Sequence, residues 1–289
     1  MRKTKELLAR LASGKTLIAD GATGTMLQAA GLPLGTPPER WNLEQPEKII
    51  ALHRAYIEAG SQIILTNSFG GSRIKLNRAG CAALTLEVNR AAARLARQAA
   101  GSDVFVAGDI GPSGELLEPY GDLTYANAVA AFAEQAVALA EGGADCLWVE
   151  TMMSLEEAKA AIEGAKQATD LPILCSLSFG PGGRTMMGVT PEGAIEALWP
   201  LGLAACGGNC GQGPEQMVGT IRRMAAAKPE AILIAKPNAG LPRLTDGKQV
   251  YDMPPEEMAR YMLHCLAAGA QVIGSCCGST PDHIRAIAR

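Results

Sequence analysis

Short apolar runs recur along the chain, each closed by a turn of small or polar residues and followed by a longer stretch of helical periodicity. Thr16-Leu17-Ile18-Ala19-Asp20 is the first such run and ends at Gly21-Ala22-Thr23-Gly24-Thr25. A helix is predicted from about Pro46, with Ile49, Leu52, Tyr56 and Ile57 along it and Gly60 closing it. Further strands are predicted at 62–69, 104–108, 146–150, 172–178 and 231–236, with two more ending at Cys210 and Cys276. Helices are predicted over 84–99, 124–141, from Ser154, from Thr190-Pro191, over 214–227, over 254–268 and after Thr280-Pro281. Ser154-Leu155-Glu156-Glu157 has the form of a capping box, and Thr280-Pro281 that of an N-cap before a first-turn proline. Eight strand–helix units in 289 residues predict an α/β chain with a single-domain (β/α)8 TIM barrel over residues 1–289. A doubly wound sheet is the rival, but Asp20-Gly21-Ala22-Thr23-Gly24-Thr25 lacks the third glycine of a dinucleotide fingerprint.

Composition narrows the function classes. Hydrophobic residues at 48% and charged residues at 19% describe a soluble globular chain, and a net charge of −3 gives no pull toward nucleic acid or an anionic membrane. An aromatic content of 4% argues against a surface for stacking bases. No stretch is long and apolar enough to span a bilayer, and Met1-Arg2-Lys3-Thr4-Lys5-Glu6-Leu7-Leu8 reads as the start of an amphipathic helix without a signal-peptide core. Eight cysteines without such a signal point to a reducing, cytoplasmic setting rather than a disulfide framework.

The placing of three of those cysteines carries the chemistry. Val272-Ile273-Gly274-Ser275-Cys276-Cys277-Gly278 and Ala204-Ala205-Cys206-Gly207-Gly208-Asn209-Cys210-Gly211 each run from a strand into a cysteine-bearing turn. In a barrel of this kind the C-terminal strand ends form the active face, and the sixth and eighth strands alternate around it. Cys210, Cys276 and Cys277 therefore predict a zinc with three protein ligands and one open position, the catalytic arrangement. Cys206 as a fourth ligand is disfavoured, because four residues of extended strand span roughly 13 Å at ~3.3 Å each. Cys206, Cys81, Cys146, Cys175 and Cys265 read as packed core thiols. A zinc already held by three thiolates is a poor activator of water, but it suits a substrate thiol, which coordination deprotonates. The reaction class that follows is alkyl transfer to sulfur.

Other strand ends are polar too: Thr66 and Asn67, Asp109, Glu150, Ser178 and Asn238. Asp20 and Glu150 suit a substrate ammonium and the Gly21 and Ala22 amides a carboxylate, so an amino acid bearing a thiol, homocysteine, fits. Taken singly, each acid better suits an ion pair with an arginine or a turn cap.

These motifs resemble the homocysteine-binding methyltransferase barrel shared by cobalamin-dependent methionine synthase, betaine–homocysteine methyltransferase and S-methylmethionine-dependent enzymes. The resemblance spans essentially the whole chain. It rests on Asp20 to Thr25, Thr66-Asn67-Ser68-Phe69, Glu150-Thr151, Gly207-Gly208-Asn209-Cys210, Lys236-Pro237-Asn238-Ala239-Gly240-Leu241-Pro242 and Gly274 to Gly278. The Pro-Asn-Ala-Gly-Leu-Pro run is most similar to the methionine synthase branch. The resemblance implies zinc on Cys210, Cys276 and Cys277, and amino contacts from Asp20 and Glu150 with Gly21 and Thr66 nearby. It also implies that Asn238 approaches the zinc when no thiol is bound. Ser275 stands where the family usually has glycine, and Ser68 where threonine is common.

The D-x-H-x-x-G element of a cobalamin module is absent from these residues. The methyl group is therefore expected from a methyl-corrinoid, such as methylcobalamin, on a separate protein. The loop from Gly31 to Trp41 and the segment Glu118-Pro119-Tyr120 are expected to border its approach. The alternatives are a small S-methylmethionine or betaine donor, or a non-catalytic barrel that senses a thiol.

Overall fold

The computed structural model describes residues 2–241, 243–245 and 248–289. Pro242, the last residue of the Pro-Asn-Ala-Gly-Leu-Pro run, lies outside them. Eight strands, β1 (Leu17–Ile18), β2 (Ile63–Leu65), β3 (Phe105–Ile110), β4 (Cys146–Met152), β5 (Ile173–Leu177), β6 (Ala205–Cys210), β7 (Leu233–Pro237) and β8 (Ala270–Ile273), form one sheet. Every pairing is parallel, in the order β1-β8-β7-β6-β5-β4-β3-β2. A parallel bridge between Ala19 and Ile63 joins the two outer strands, so the sheet closes on itself. One principal helix follows each strand: α1 (Pro46–Glu58), α2 (Thr85–Ala100), α3 (Tyr125–Gly142), α4 (Leu155–Ala168), α5 (Pro191–Leu198), α6 (Pro214–Ala227), α7 (Pro255–Ala267) and α8 (Pro281–Ile287), with short helices Gly24–Ala29 and Trp41–Glu44 before α1 and Arg73–Asn77 before α2. The fold is the (β/α)8 barrel that the alternation predicts.

Side-chain alternation along the strands builds two separate cores. Leu17, Ala19, Ile63, Leu65, Phe105, Ala107, Cys146, Trp148, Leu174, Ala205, Ile234 and Val272 fill the barrel interior. Leu7 and Leu11, from the amphipathic helix Arg2–Ala12, join that interior cluster, so this helix stoppers the end of the barrel opposite the strand C-termini. The intervening residues, including Ile110, Val149, Cys175, Leu177, Cys206, Leu233 and Ile273, face outward into the helix layer. Cys206 thus points away from the barrel axis, as a packed thiol should, and Cys146, Cys175 and Cys265 are also buried. Cys81 departs from its expected place: it sits half-exposed in a turn, with Sγ 3.3 Å from the Ala79 carbonyl oxygen.

Two local expectations change in detail. Ser154 caps α4 by accepting from the Glu157 amide at 3.3 Å. Glu157 does not return the bond; its carboxylate accepts instead from the Ser113 amide (2.8 Å) and hydroxyl (2.6 Å). The eighth strand ends at Ile273 rather than Cys276, because Gly274 and the residues after it turn across the barrel mouth, where Ser275 N donates to Asp20 O. Between β7 and α7 the chain also forms a hairpin of Arg243–Thr245 and Lys248–Val250 that the hydrophobic pattern does not announce.

The absence of side chains at one point of β6 is structural. A Cβ on Gly207 would stand 2.1 Å from the Ile234 carbonyl oxygen and 2.6 Å from its amide nitrogen. No rotamer relieves a clash with backbone, so Gly207→Ala is expected to force β6 from β7 and destabilise the fold by about 2 kcal/mol or more, read from the urea midpoint.

Candidate functional site

The strand ends bring Cys210, Cys276 and Cys277 together over the barrel mouth. Cys210 closes β6, while Cys276 and Cys277 follow β8, with β7 between them in the sheet. The loop is held by β7: Cys276 N donates to Pro237 O (2.8 Å), and Ala239 N donates to Cys277 O (2.9 Å). The Ser275 hydroxyl donates to Pro237 O at 2.9 Å and is fully buried, so this serine braces the loop and does not line the pocket. Cys210 Sγ lies 3.2 Å from Cys276 Sγ and 3.8 Å from Cys277 Sγ, and all three sulfurs fall within 4.8 Å of one another. Sulfurs bound at the usual ~2.3 Å to a tetrahedral zinc stand ~3.8 Å apart, so this cluster fits such an ion with little movement. Three thiols this close cannot all ionise without a cation among them, which is the second respect in which the donor set suits a metal. Asn238 adds a buried Oδ1 without a partner, while its amide nitrogen donates to Gly211 O at 3.1 Å.

Beside the sulfurs, the topmost inward layer of the barrel is charged. Lys236, fully enclosed, lies 3.3 Å from Asp20 Oδ1, 3.8 Å from Glu150 Oε2 and 5.0 Å from the Trp148 ring centroid. The partner shared by Asp20 and Glu150 is therefore a lysine, not the arginine that a simple ion-pair reading supplies. Asp20 Oδ2 also accepts from the Leu65 amide at 2.8 Å. Asp109 makes a third buried carboxylate, and its Oδ1 has no hydrogen-bond partner. Its backbone is fixed from both sides, since its amide donates to Thr66 Oγ1 (2.9 Å) and its carbonyl accepts from Ser68 Oγ (2.7 Å). Thr66 is accordingly engaged behind the pocket wall rather than free at its surface.

A cavity of about 470 Å³ lies over this layer, with Asp109, Glu150, Lys236, Cys210, Cys276 and Cys277 in its wall. Gly21 also lines it, and only glycine fits there: a Cβ would lie 2.5 Å from Ser279 Oγ and 2.9 Å from the Tyr56 hydroxyl. Of the two amides expected to meet a carboxylate, that of Ala22 already donates to Ser279 Oγ at 3.0 Å, which leaves Gly21. Farther out the cavity reaches Gly35 to Glu39 and Lys75, whose ammonium lies 4.6 Å from the Phe69 ring centroid. Glu118, Pro119 and Tyr120 line a second cavity of about 360 Å³ instead.

Burial and like charge set the protonation of this layer. Burial pushes Glu150 up to about 8, with Lys236 pulling it back. Burial, then Glu150, hold Asp109 well above the carboxylate range, and burial raises Asp20 against the pull of Lys236. Burial draws Lys236 down, but Asp20 and Glu150 outweigh it and keep the lysine charged. Sequence reasoning assigned no role to Lys236, Asp109 or Asn209. The signal for Lys236 was present, because it falls on the inward phase of β7, two residues after Ile234.

Glu150 gives a pH test with a definite sign. Its folded value of about 8 exceeds its ordinary 4.5, so its protonated form favours folding. That contribution is complete below the ordinary value and disappears as pH rises through the folded one. Metal-free protein is expected to melt lower at the alkaline end of this window, and Glu150→Gln to flatten part of the fall, as measured by calorimetry in matched buffers.

Residues 17–289 match the family described as homocysteine S-methyltransferase. Methionine synthase of Mycobacterium tuberculosis is 33% identical over 296 residues, covering 96% of this chain and 24% of that protein. Methionine synthase of Mycobacterium leprae is 32% identical over 303 residues, covering 98% of this chain and 25% of that protein. The chain thus spans about a quarter of the length of these two relatives. Among solved structures, the oxidized form of the homocysteine methyltransferase MmuM from Escherichia coli superposes with a TM-score of 0.81 at 25% identity, covering 97% of this chain and 98% of that one. With the match running through all eight strands and both cysteine-bearing turns, the chain belongs to the homocysteine S-methyltransferase family.

Proposed function

We propose that this barrel transfers a methyl group to the sulfur of homocysteine, forming methionine, at a zinc held by Cys210, Cys276 and Cys277. The observation that carries the reading is the convergence of three sulfurs beside the buried cluster of Asp20, Asp109, Glu150 and Lys236. A bound zinc would supply a Lewis-acid position that keeps the substrate sulfur as thiolate at neutral pH. The remaining work falls to the chain itself. Glu150 and Asp20 meet the substrate ammonium, with the free oxygen of Asp109 facing the same space, and the Gly21 amide receives the carboxylate. Lys236 pulls the carboxylates toward the ionised form against burial and holds them in place without touching the reacting atoms. The thiolate sulfur then attacks the methyl carbon in line; the new S–C bond forms as the bond to the donor breaks, and the donor leaves with that electron pair.

The donor we favour is a methyl-corrinoid such as methylcobalamin, carried on a separate protein. Support comes from the Pro237-Asn238-Ala239-Gly240-Leu241 run and from identity to two proteins named methionine synthase along nearly all of this chain. A cytoplasmic setting accords with the design, because clustered thiols need a reducing compartment to stay available for metal. Among the described residues no helix is long and apolar enough to cross a membrane.

The ligand set is tested by metal analysis. Cys210→Ser, Cys276→Ser and Cys277→Ser are each expected to lose most of the zinc, and Cys206→Ser to keep it, because Cys206 faces the helix layer; equal loss with Cys206→Ser overturns the assignment.

Substrate charge is tested by calorimetry. Glu150→Gln is expected to weaken homocysteine binding about ten- to a hundredfold, the value of a charge-assisted hydrogen bond, while an uncharged thiol such as mercaptoethanol is little affected. The donor is decided by kinetics with homocysteine and mass-spectrometric detection of methionine. Saturable turnover with a methylated corrinoid protein supports the reading, whereas turnover with S-methylmethionine or betaine alone moves the chain to the small-donor branch, and none with any donor favours a thiol sensor.

A further inference from the structure

Two non-glycine residues among those described have a left-handed backbone, Thr151 at φ 60° and Cys210 at φ 57°. Such a conformation is costly for any side chain and most of all for a β-branched one, so something must hold it. Both residues sit at the pocket, each immediately after an inward-facing residue of its strand: Glu150 before Thr151, and Asn209 before Cys210.

Asn209 is what grips Thr151. It is fully buried, and its Oδ1 accepts from Thr151 N at 2.8 Å and from Ser176 Oγ at 2.8 Å. Its Nδ2 donates to Thr151 Oγ1 at 2.6 Å and lies 3.5 Å from Glu150 Oε2 and 3.9 Å from Cys276 Sγ. One amide thus holds the backbone and the hydroxyl of the strained residue, reaches the neighbouring carboxylate, and stands against a sulfur of the metal cluster. The next peptide unit along the chain carries Cys210.

We propose that Asn209 is a positioning residue that fixes the span between the carboxylate meeting the substrate ammonium and the cysteines meeting its sulfur, and so sets the preference for homocysteine over cysteine. In homocysteine three carbons separate nitrogen from sulfur; in cysteine there are two. A rigid span rejects the shorter molecule, which satisfies one end only. The proposal rests on the reading that Glu150 meets the ammonium, and its test separates the two.

The experiment measures binding of homocysteine, cysteine and 4-mercaptobutanoate, which is homocysteine without its amino group, to zinc-loaded protein by calorimetry, with metal content determined alongside. Asn209→Ala is expected to retain its zinc and to weaken homocysteine about tenfold or more, while 4-mercaptobutanoate stays within about twofold. Preference for homocysteine over cysteine, about ten- to a hundredfold for one methylene in a fitted site, is expected to fall toward unity.

Thr151→Val removes the hydroxyl from the other end of the same grip and is expected to shift the three thiols in the same pattern, which carries the test should Asn209→Ala fail to fold. Thr151→Gly makes the left-handed backbone free of strain, so placed in the Asn209→Ala background it is expected to recover part of the homocysteine affinity. Equal weakening of all three thiols, or no recovery in the double variant, overturns the proposal. Glu150→Gln is the control. If it too fails to separate homocysteine from 4-mercaptobutanoate, the ammonium reading itself falls; if it separates them and Asn209→Ala does not, only the clamp is wrong.

Discussion

A lysine ammonium enclosed near the axis of a barrel is tolerable only when carboxylates close around it, and Lys236 is this protein's version of that constraint. Asp20 reaches it from the end of β1 and Glu150 from β4, with Trp148 beneath, so the charge ties together strands far apart in the chain. Removing one partner would leave a buried ion uncompensated, which is far costlier than never having built the pair. The cluster therefore fixes how deep the pocket floor lies and which way its carboxylates point. The sulfurs above it are placed by the same strand, since β7 carries Lys236 into the barrel and then binds the Cys276–Cys277 loop through Pro237 and Ala239.

Strand register explains why this works. Parallel strands tilt around a barrel, so residues of one phase from neighbouring strands come to a common height. The lower layers are filled by Leu17, Phe105, Trp148, Leu174 and Ile234, and the layer above them holds Asp109, Glu150, Asn209 and Lys236. On β4 and β7 the change from apolar to polar takes place within two residues, from Trp148 to Glu150 and from Ile234 to Lys236. Water is excluded from below by Leu7 and Leu11, and the charges meet ligand only from above.

That arrangement also decides what was legible beforehand. Strand–helix alternation, the capping residues and the two cysteine-bearing turns lie in local sequence, and they led to the barrel, to most helix ends and to the three sulfurs. The grip of Lys236 on Asp20 joins residues 216 apart, and no local pattern predicts which carboxylate a buried cation will choose. Asn209 was hidden for the same reason, because its partners Thr151 and Ser176 lie on other strands. Cys81 misled in the opposite direction: a cysteine between apolar residues reads as core, but the short turn around it leaves it half-exposed. The paired strands Arg243–Thr245 and Lys248–Val250 had no period-two apolar alternation to announce them.

Charge counting gives the site an order of filling. Asp20, Asp109 and Glu150 face one lysine, and three thiols stand beside them, so full ionisation of the layer would leave a large negative excess in a confined space. Raised carboxylate values are how the protein meets that excess when no other cation is present, by retaining protons. A divalent metal among the sulfurs would relieve the sulfur end, and a ligand ammonium would relieve the carboxylate end by displacing a proton rather than by occupying a ready anion. The two ends interact through Cys276, whose charge bears on Asp20, Asp109 and Glu150 alike. Metal bound first lowers the cost of ionising the carboxylates, and ionised carboxylates hold an ammonium more tightly. On the proposed reading, the amino end of the substrate would thereby be recognised best with the metal already in place.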